Sequence, residues 1–175
     1  MIKNLWNLNL NGAIFSPCHT WRYQLHRIWQ PEKPMAAFIC LNPSTADEER
    51  NDPTVTRCVN YAHGWGYGGL VLLNIFAYRA TDPRDLKAAP SPVGELNDLH
   101  ILESASSAAL VLAAWGAHGE FMGRGEQVQK LLFQAGVRLY CLGKTNAGYP
   151  RHPLYLPKRL KPILFQGIHT EDTPF

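Results

Sequence analysis

The 175-residue chain has no apolar run near the ~20 residues that a membrane-spanning helix requires, which argues against an integral membrane protein. Cysteine is scarce and badly spaced for metal: Cys18, Cys40, Cys58 and Cys141 form no CxxC pair, so neither a zinc site nor an iron–sulfur cluster is expected. Cys40 and Cys141 lie inside apolar runs, where a free thiol acts as a small hydrophobe. Charged residues make up 18% and the excess is only +3, short of a strongly basic, nucleic-acid-like balance. Internal repeats and low-complexity segments are missing. Met1–Gly12 is Asn-rich with scattered Leu and offers no continuous apolar stretch for a signal peptide. A monomeric, cytoplasmic protein with no metal, no cofactor and no membrane partner is expected.

What is present is a globular pattern: 46% hydrophobic residues and a length that suits a single domain over 1–175. Trp21–Trp29 places Tyr23, Leu25, Arg27 and Trp29 on one side of a half-exposed strand, paired with Ala13–Ser16 in an antiparallel hairpin. Ala36–Leu41, Leu70–Phe76, Ala109–Ala114 and Val137–Leu142 are short apolar runs that read as buried strands. Between them, Asp52-Pro53 caps a helix whose stripe is Val55, Cys58, Val59 and Ala62. A Pro-rich connector through Pro83, Pro90 and Pro92 leads to a helix around Glu95–Ser104. A third helix spans Glu126–Ala135, with Gly136 just past its end. The alternation predicts an α/β fold: a mostly parallel central sheet with helices on both faces, a three-layer α/β/α arrangement behind the hairpin.

Polar residues collect after each apolar run. Asn42-Pro43-Ser44-Thr45-Ala46-Asp47 follows the first; Asn74 sits near the end of the second, with Arg79 beyond it; Trp115-Gly116 follows the third; Lys144 and Arg151-His152-Pro153-Leu154 follow the fourth. In an open parallel sheet these positions share one edge, the usual place for a ligand crevice. Asn42-Pro43-Ser44 is equally a strand-terminating turn, Trp115 is more simply core packing, and Asp52 a helix cap. Arg57, one turn into the helix, faces either the crevice or a carboxylate of the same loop. Between Lys144 and Lys161 the cations Lys144, Arg151, Lys158, Arg159 and Lys161 stand without a carboxylate. His63, His100, His118 and His169 carry no assigned role.

The segments LNPSTAD (Leu41–Asp47), NDPTVTRC (Asn51–Cys58), WGYGGL (Trp65–Leu70), LLNIFAYRATDP (Leu72–Pro83), AAWG (Ala113–Gly116) and RHPLYL (Arg151–Leu156) together resemble the uncharacterised family called domain of unknown function 1643. More distantly, their order is similar to the uracil-DNA glycosylase superfamily. That likeness implies a parallel α/β/α fold and a DNA-glycosylase-like hydrolase, cleaving the N-glycosidic bond of a modified or mismatched base. It maps Asn42 onto the water-positioning residue, Asn74 onto the base-reading amide, and His152 onto the group that stabilises the departing base. The Ser after the late His-Pro is replaced by Leu154, and no aromatic follows Pro43. Asp47 stays open as an alternative general base. Ser44, Thr45, Arg57, Arg79, Trp115, Gly116 and Leu154 complete the expected substrate contacts. Lys144, Arg151, Lys158 and Arg159, with Arg79, are expected on phosphates of DNA or a nucleotide-like ligand. The alternatives are a binding module for nucleic acid or a modified base that does not cleave, and an enzyme acting on a small nucleotide-like metabolite.

Overall fold

A computed structural model describes residues 10–167. The expectation for Met1–Gly12 therefore falls, but for its last three residues, outside the described residues, as does His169. Seven strands form one sheet: β1 (Asn11–Phe15), β2 (Arg22–Ile28), β3 (Met35–Cys40), β4 (Gly69–Asn74), β5 (Leu110–Ala113), β6 (Tyr140–Cys141) and β7 (Ile163–Leu164). Their spatial order is β1-β2-β4-β3-β5-β6-β7. Among the described residues four α-helices accompany them: α1 (Pro53–Gly64), α2 (Pro83–Ala88), α3 (Asn97–Ser107) and α4 (Arg124–Gln134).

The α/β class and the N-terminal hairpin agree with expectation; the mostly parallel sheet does not. β3 pairs in parallel with β4 and β5, and β5 with β6, whereas β1–β2, β2–β4 and β6–β7 are antiparallel. The sheet is therefore mixed. Connection length explains part of this: only Trp29–Pro34 separates β2 from β3, and a parallel crossover needs a dozen residues or more.

The apolar runs became strands because both of their faces are covered. Ala37, Ile39, Val71, Leu73, Val111 and Ala113 point into one core with Ile101 and Ala105 of α3 and Val128 and Leu132 of α4. Their neighbours Ala36, Phe38, Cys40, Leu70, Leu72 and Leu112 point into a second core with Val55, Cys58, Tyr61 and Ala62 of α1. α1 starts where the sequence indicates: the Asp52 side chain accepts from the Val55 N–H at 2.8 Å, and Pro53 occupies the first turn.

Three local expectations are corrected. β2 is buried along almost its whole length, with Arg22 and Arg27 inside, because β1 and β4 flank it and polar loops receive its cations. The run Val137–Leu142 contributes only Tyr140–Cys141 as paired strand, since β7 offers just two partner residues. The Pro-rich connector contains a helix, α2, opened by Asp82, whose side chain accepts from the Arg84 N–H.

Candidate functional site

Winding reverses at β3. The chain leaves β3 through α1 to reach β4 on one side, then crosses back through α3 on the opposite face to reach β5 on the other. Such a reversal opens a crevice outside the carboxyl ends of the strands. Register confirms a common edge: Cys40 lies opposite Asn74, Ile39 opposite Ala113, and Leu112 opposite Tyr140. The loops carrying Asn42, Arg79, Gly116 and Lys144 thus leave the same end of the sheet.

β2, running antiparallel, starts at that end and delivers a residue that no sequence motif singles out. Ile14 lies opposite Gln24 but Phe15 lies opposite Arg22, so Tyr23 is one extra residue, a bulge. Tyr23 stacks on His100 of α3, and Gln24 bonds His100 and Ser104 of the same helix. The bulge returns Arg22 to the α1 side. There its guanidinium donates to the Ala46 carbonyl at 2.8 Å and to Asn74 Oδ1 at 3.5 Å. Both side chains are only 1% exposed. Burial lowers the Arg22 pKa to about 10, against the opposing pull of Asp52. Arg22 Nε and Asn74 Nδ2 are buried donors with no acceptor among the described residues. Each such group costs roughly 1–3 kcal/mol. The backbone under Asn74 is fixed from the other face, where Asn97 Nδ2 donates to the carbonyls of Asn74 (2.8 Å) and Ile75 (3.2 Å), and Arg124 Nε to Ile75 (2.8 Å).

The loop between β3 and α1 is held from beneath by a second buried arginine. Arg27 donates to the Asp47 carbonyl at 2.6 Å, the Arg50 carbonyl at 3.3 Å and Asn51 Oδ1 at 2.8 Å. Burial lowers its pKa, with Asp47 the strongest opposing charge. Asn42 Nδ2 donates to the carbonyls of Ala80 (2.7 Å) and Pro43 (3.0 Å), which sews the β3 loop to the β4 loop and leaves Oδ1 as its free acceptor. Asp47 is committed locally: its Oδ1 accepts from Arg50 N (2.7 Å) and Glu49 N (2.9 Å), bonds that lower its pKa in that order. Arg57 reaches the Leu156 carbonyl and lies 5.6 Å from the Tyr61 ring centroid.

From the far side of the crevice, Gly116 N donates to the Pro150 carbonyl at 2.9 Å. Gly116 has φ +70, and a Cβ there would lie 3.6 Å from the Cβ of His152, so this turn brings His152 to the β5 end. His152 Nδ1 accepts from Leu154 N at 3.2 Å, which places the ring proton on Nε2. Burial lowers its pKa, and Asp52 opposes that shift. A neutral imidazole with an Nε2–H donor results. Trp115, by contrast, belongs to the α3/α4 core, edge-on to Phe165; a Cβ on Gly119 would lie 2.1 Å from its ring.

Two grooves open at this edge. One of about 850 Å³ is lined by Ser44, Thr45 and Arg79 among others, and one of about 500 Å³ by Asp52, Arg57 and Leu154. Lys144, Arg151, Lys158 and Arg159 are exposed, and none pairs with a carboxylate among the described residues. Arg22 and Arg27 were the residues missed; their only sequence signal was two cations inside an otherwise strand-like segment. Among the described residues no group of three or more His, Cys, Asp or Glu could hold a metal ion, and no helix is long and apolar enough to cross a membrane.

No curated protein and no solved structure matches the chain. One family model does, over residues 22–154, from the buried arginine at the head of β2 to the leucine after His152-Pro153. That span holds every element that builds the edge, and the chain belongs to the family described as "Protein of unknown function (DUF1643)".

Proposed function

We propose that this edge reads a nucleobase, as the likeness to the uracil-DNA glycosylase superfamily implies, on a scaffold of the same three-layer kind. The observation that carries the reading is the buried Asn74 amide: Arg22 occupies its Oδ1, and its Nδ2 has no acceptor among the described residues. A carbonyl oxygen on the edge of a pyrimidine supplies one. Asn42, with its nitrogen tied down, offers Oδ1 to a water. His152 offers Nε2–H to charge developing on a leaving base. The exposed cations after β6 suit a phosphate backbone. Four free cysteines suit the reducing cytoplasm.

A second reading, recognition without cleavage, is favoured by the carboxylates. Asp47 Oδ1 closes its own turn and Asp52 Oδ1 caps α1, so each carboxylate has only Oδ2 left to accept a proton. Incubation with duplexes and single strands carrying uracil, mismatches or modified pyrimidines decides between the two. Hydrolysis predicts abasic sites, with a loss of about 100-fold in rate on His152→Ala or Asn74→Ala. Binding alone predicts salt-sensitive retention, abolished by Asn74→Ala, and no product. If none of these substrates is bound or cut, and the variants behave as the parent does, the nucleobase reading fails.

A further inference from the structure

We infer that the 850 Å³ groove around Arg79 is a phosphoryl-binding subsite for a nucleotide-sized ligand. It takes its ligand class from the nucleobase reading but rests on different residues. The groove is walled by four separate segments: the β1–β2 turn with Thr20, the β3 loop with Ser44 and Thr45, the β4 loop with Arg79 and Thr81, and α2 with its following turn.

Arg79 is held in a fixed pose. Its guanidinium carbon lies 5.0 Å from the Phe15 ring centroid, and Nη1 donates to the His19 carbonyl at 3.2 Å. That leaves the Nε–Nη2 edge, the fork that takes an oxyanion through two parallel bonds. Nε is buried and has no acceptor among the described residues. Around it, the hydroxyls of Ser44, Thr45 and Thr81 make no hydrogen bond among the described residues. Thr20 Oγ1 accepts from Cys18 Sγ at 3.3 Å and keeps its own proton to give. Four hydroxyls, each with a proton to give, thus line the wall with the guanidinium, and Asp85 is its one carboxylate. A group with several anionic oxygens can meet more of these donors at once than a planar carboxylate can. The volume is far larger than one such group, which leaves room for the rest of a nucleotide. The expected phosphate contacts therefore divide: Arg79 sits in a built groove, while Lys144, Arg151, Lys158 and Arg159 stand on open surface.

Calorimetric titration of the full chain at low salt with thymidine 5′-monophosphate, thymidine and inorganic phosphate tests this. The monophosphate should bind at least about tenfold more tightly than thymidine, and Arg79→Gln should remove that advantage. Thr45→Val and Thr81→Val should each cost a few-fold, and Lys130→Gln on α4 nothing. Weaker binding of inorganic phosphate assigns the site to nucleotides; equal binding assigns it to the free anion; both keep an oxyanion site at Arg79. Thymidine binding as well as its monophosphate overturns the inference, as does unchanged binding by the arginine variant or a loss that follows Lys158→Gln/Arg159→Gln instead. Should Arg79→Gln fail to fold, the two threonine variants decide: a loss in both supports the subsite, and unchanged binding in both overturns it. Asn74→Ala separates this subsite from the nucleobase reading: base preference should vanish while phosphate-dependent affinity persists.

Discussion

Each face of the sheet buries one arginine against the end of β4, and the two are partnered differently. On the α3/α4 face, Arg124 donates to the Ile75 carbonyl and forms an ion pair with Asp98, itself about half exposed. On the α1 face, Arg22 has the Ala46 carbonyl and a long bond to Asn74, with no carboxylate paired to it among the described residues and Nε left over. A buried cation with a carboxylate and a carbonyl is a finished structural joint. A buried cation without a carboxylate retains unspent attraction for an acceptor or an anion. The α3/α4 side thus serves as foundation and the α1 side as working surface, although both use the same residue type at the same strand end.

The largest expected effect is on the foundation. Arg124→Met should lower unfolding free energy by about 3 kcal/mol, since it strips the Ile75 carbonyl and Asp98 of a charged donor. Urea denaturation measures it. Arg22→Met should cost about 1 kcal/mol, the range of an ordinary hydrogen bond, because methionine fills the space and removes a poorly compensated charge. Equal losses for the two variants would break the contrast. The smallest effect is in pH dependence, where each side has one histidine whose pKa burial lowers: His100 on α3 and His152 beside Asp52. The unfolded chain takes up these protons first, so stability should fall as pH drops through about 6.5, the ordinary value, and these two histidines should add no slope above it. His100→Gln and His152→Gln should each flatten the acid limb of a stability–pH curve. A slope unaltered in either variant would show that ring to be already free to protonate when folded.

How much of this was legible in the sequence differs by element. β3, β4 and β5 were readable as unbroken apolar runs, because a strand covered on both faces has no reason to alternate. α1 was readable from Asp52-Pro53, since its cap is chemistry local to four residues. The edge that joins Asn42, Asn74 and Gly116 followed from strand alternation alone. Beyond the N-terminal hairpin, pairing direction was not readable at the sheet's margins, because period-2 patterning says nothing about which way a neighbour runs. β2 misled for a physical reason: its arginines are buried against carbonyls of a loop some twenty residues later, and no local pattern announces such partners. Nor could spacing reveal that Asn42 uses its nitrogen as a stitch between two loops, or that Asp47 is absorbed by its own turn.

Tyr23, the supernumerary residue of β2, has a consequence for how this protein can change over time. A strand counts in twos, so one inserted position reverses the orientation of everything on its N-terminal side. Trimming that position would aim the first arginine at the α3 layer and leave Asn74 Oδ1 without its clamp. Point substitutions at the crevice tune its chemistry gradually; a single-codon deletion here would disconnect it in one step while sparing the two packed cores.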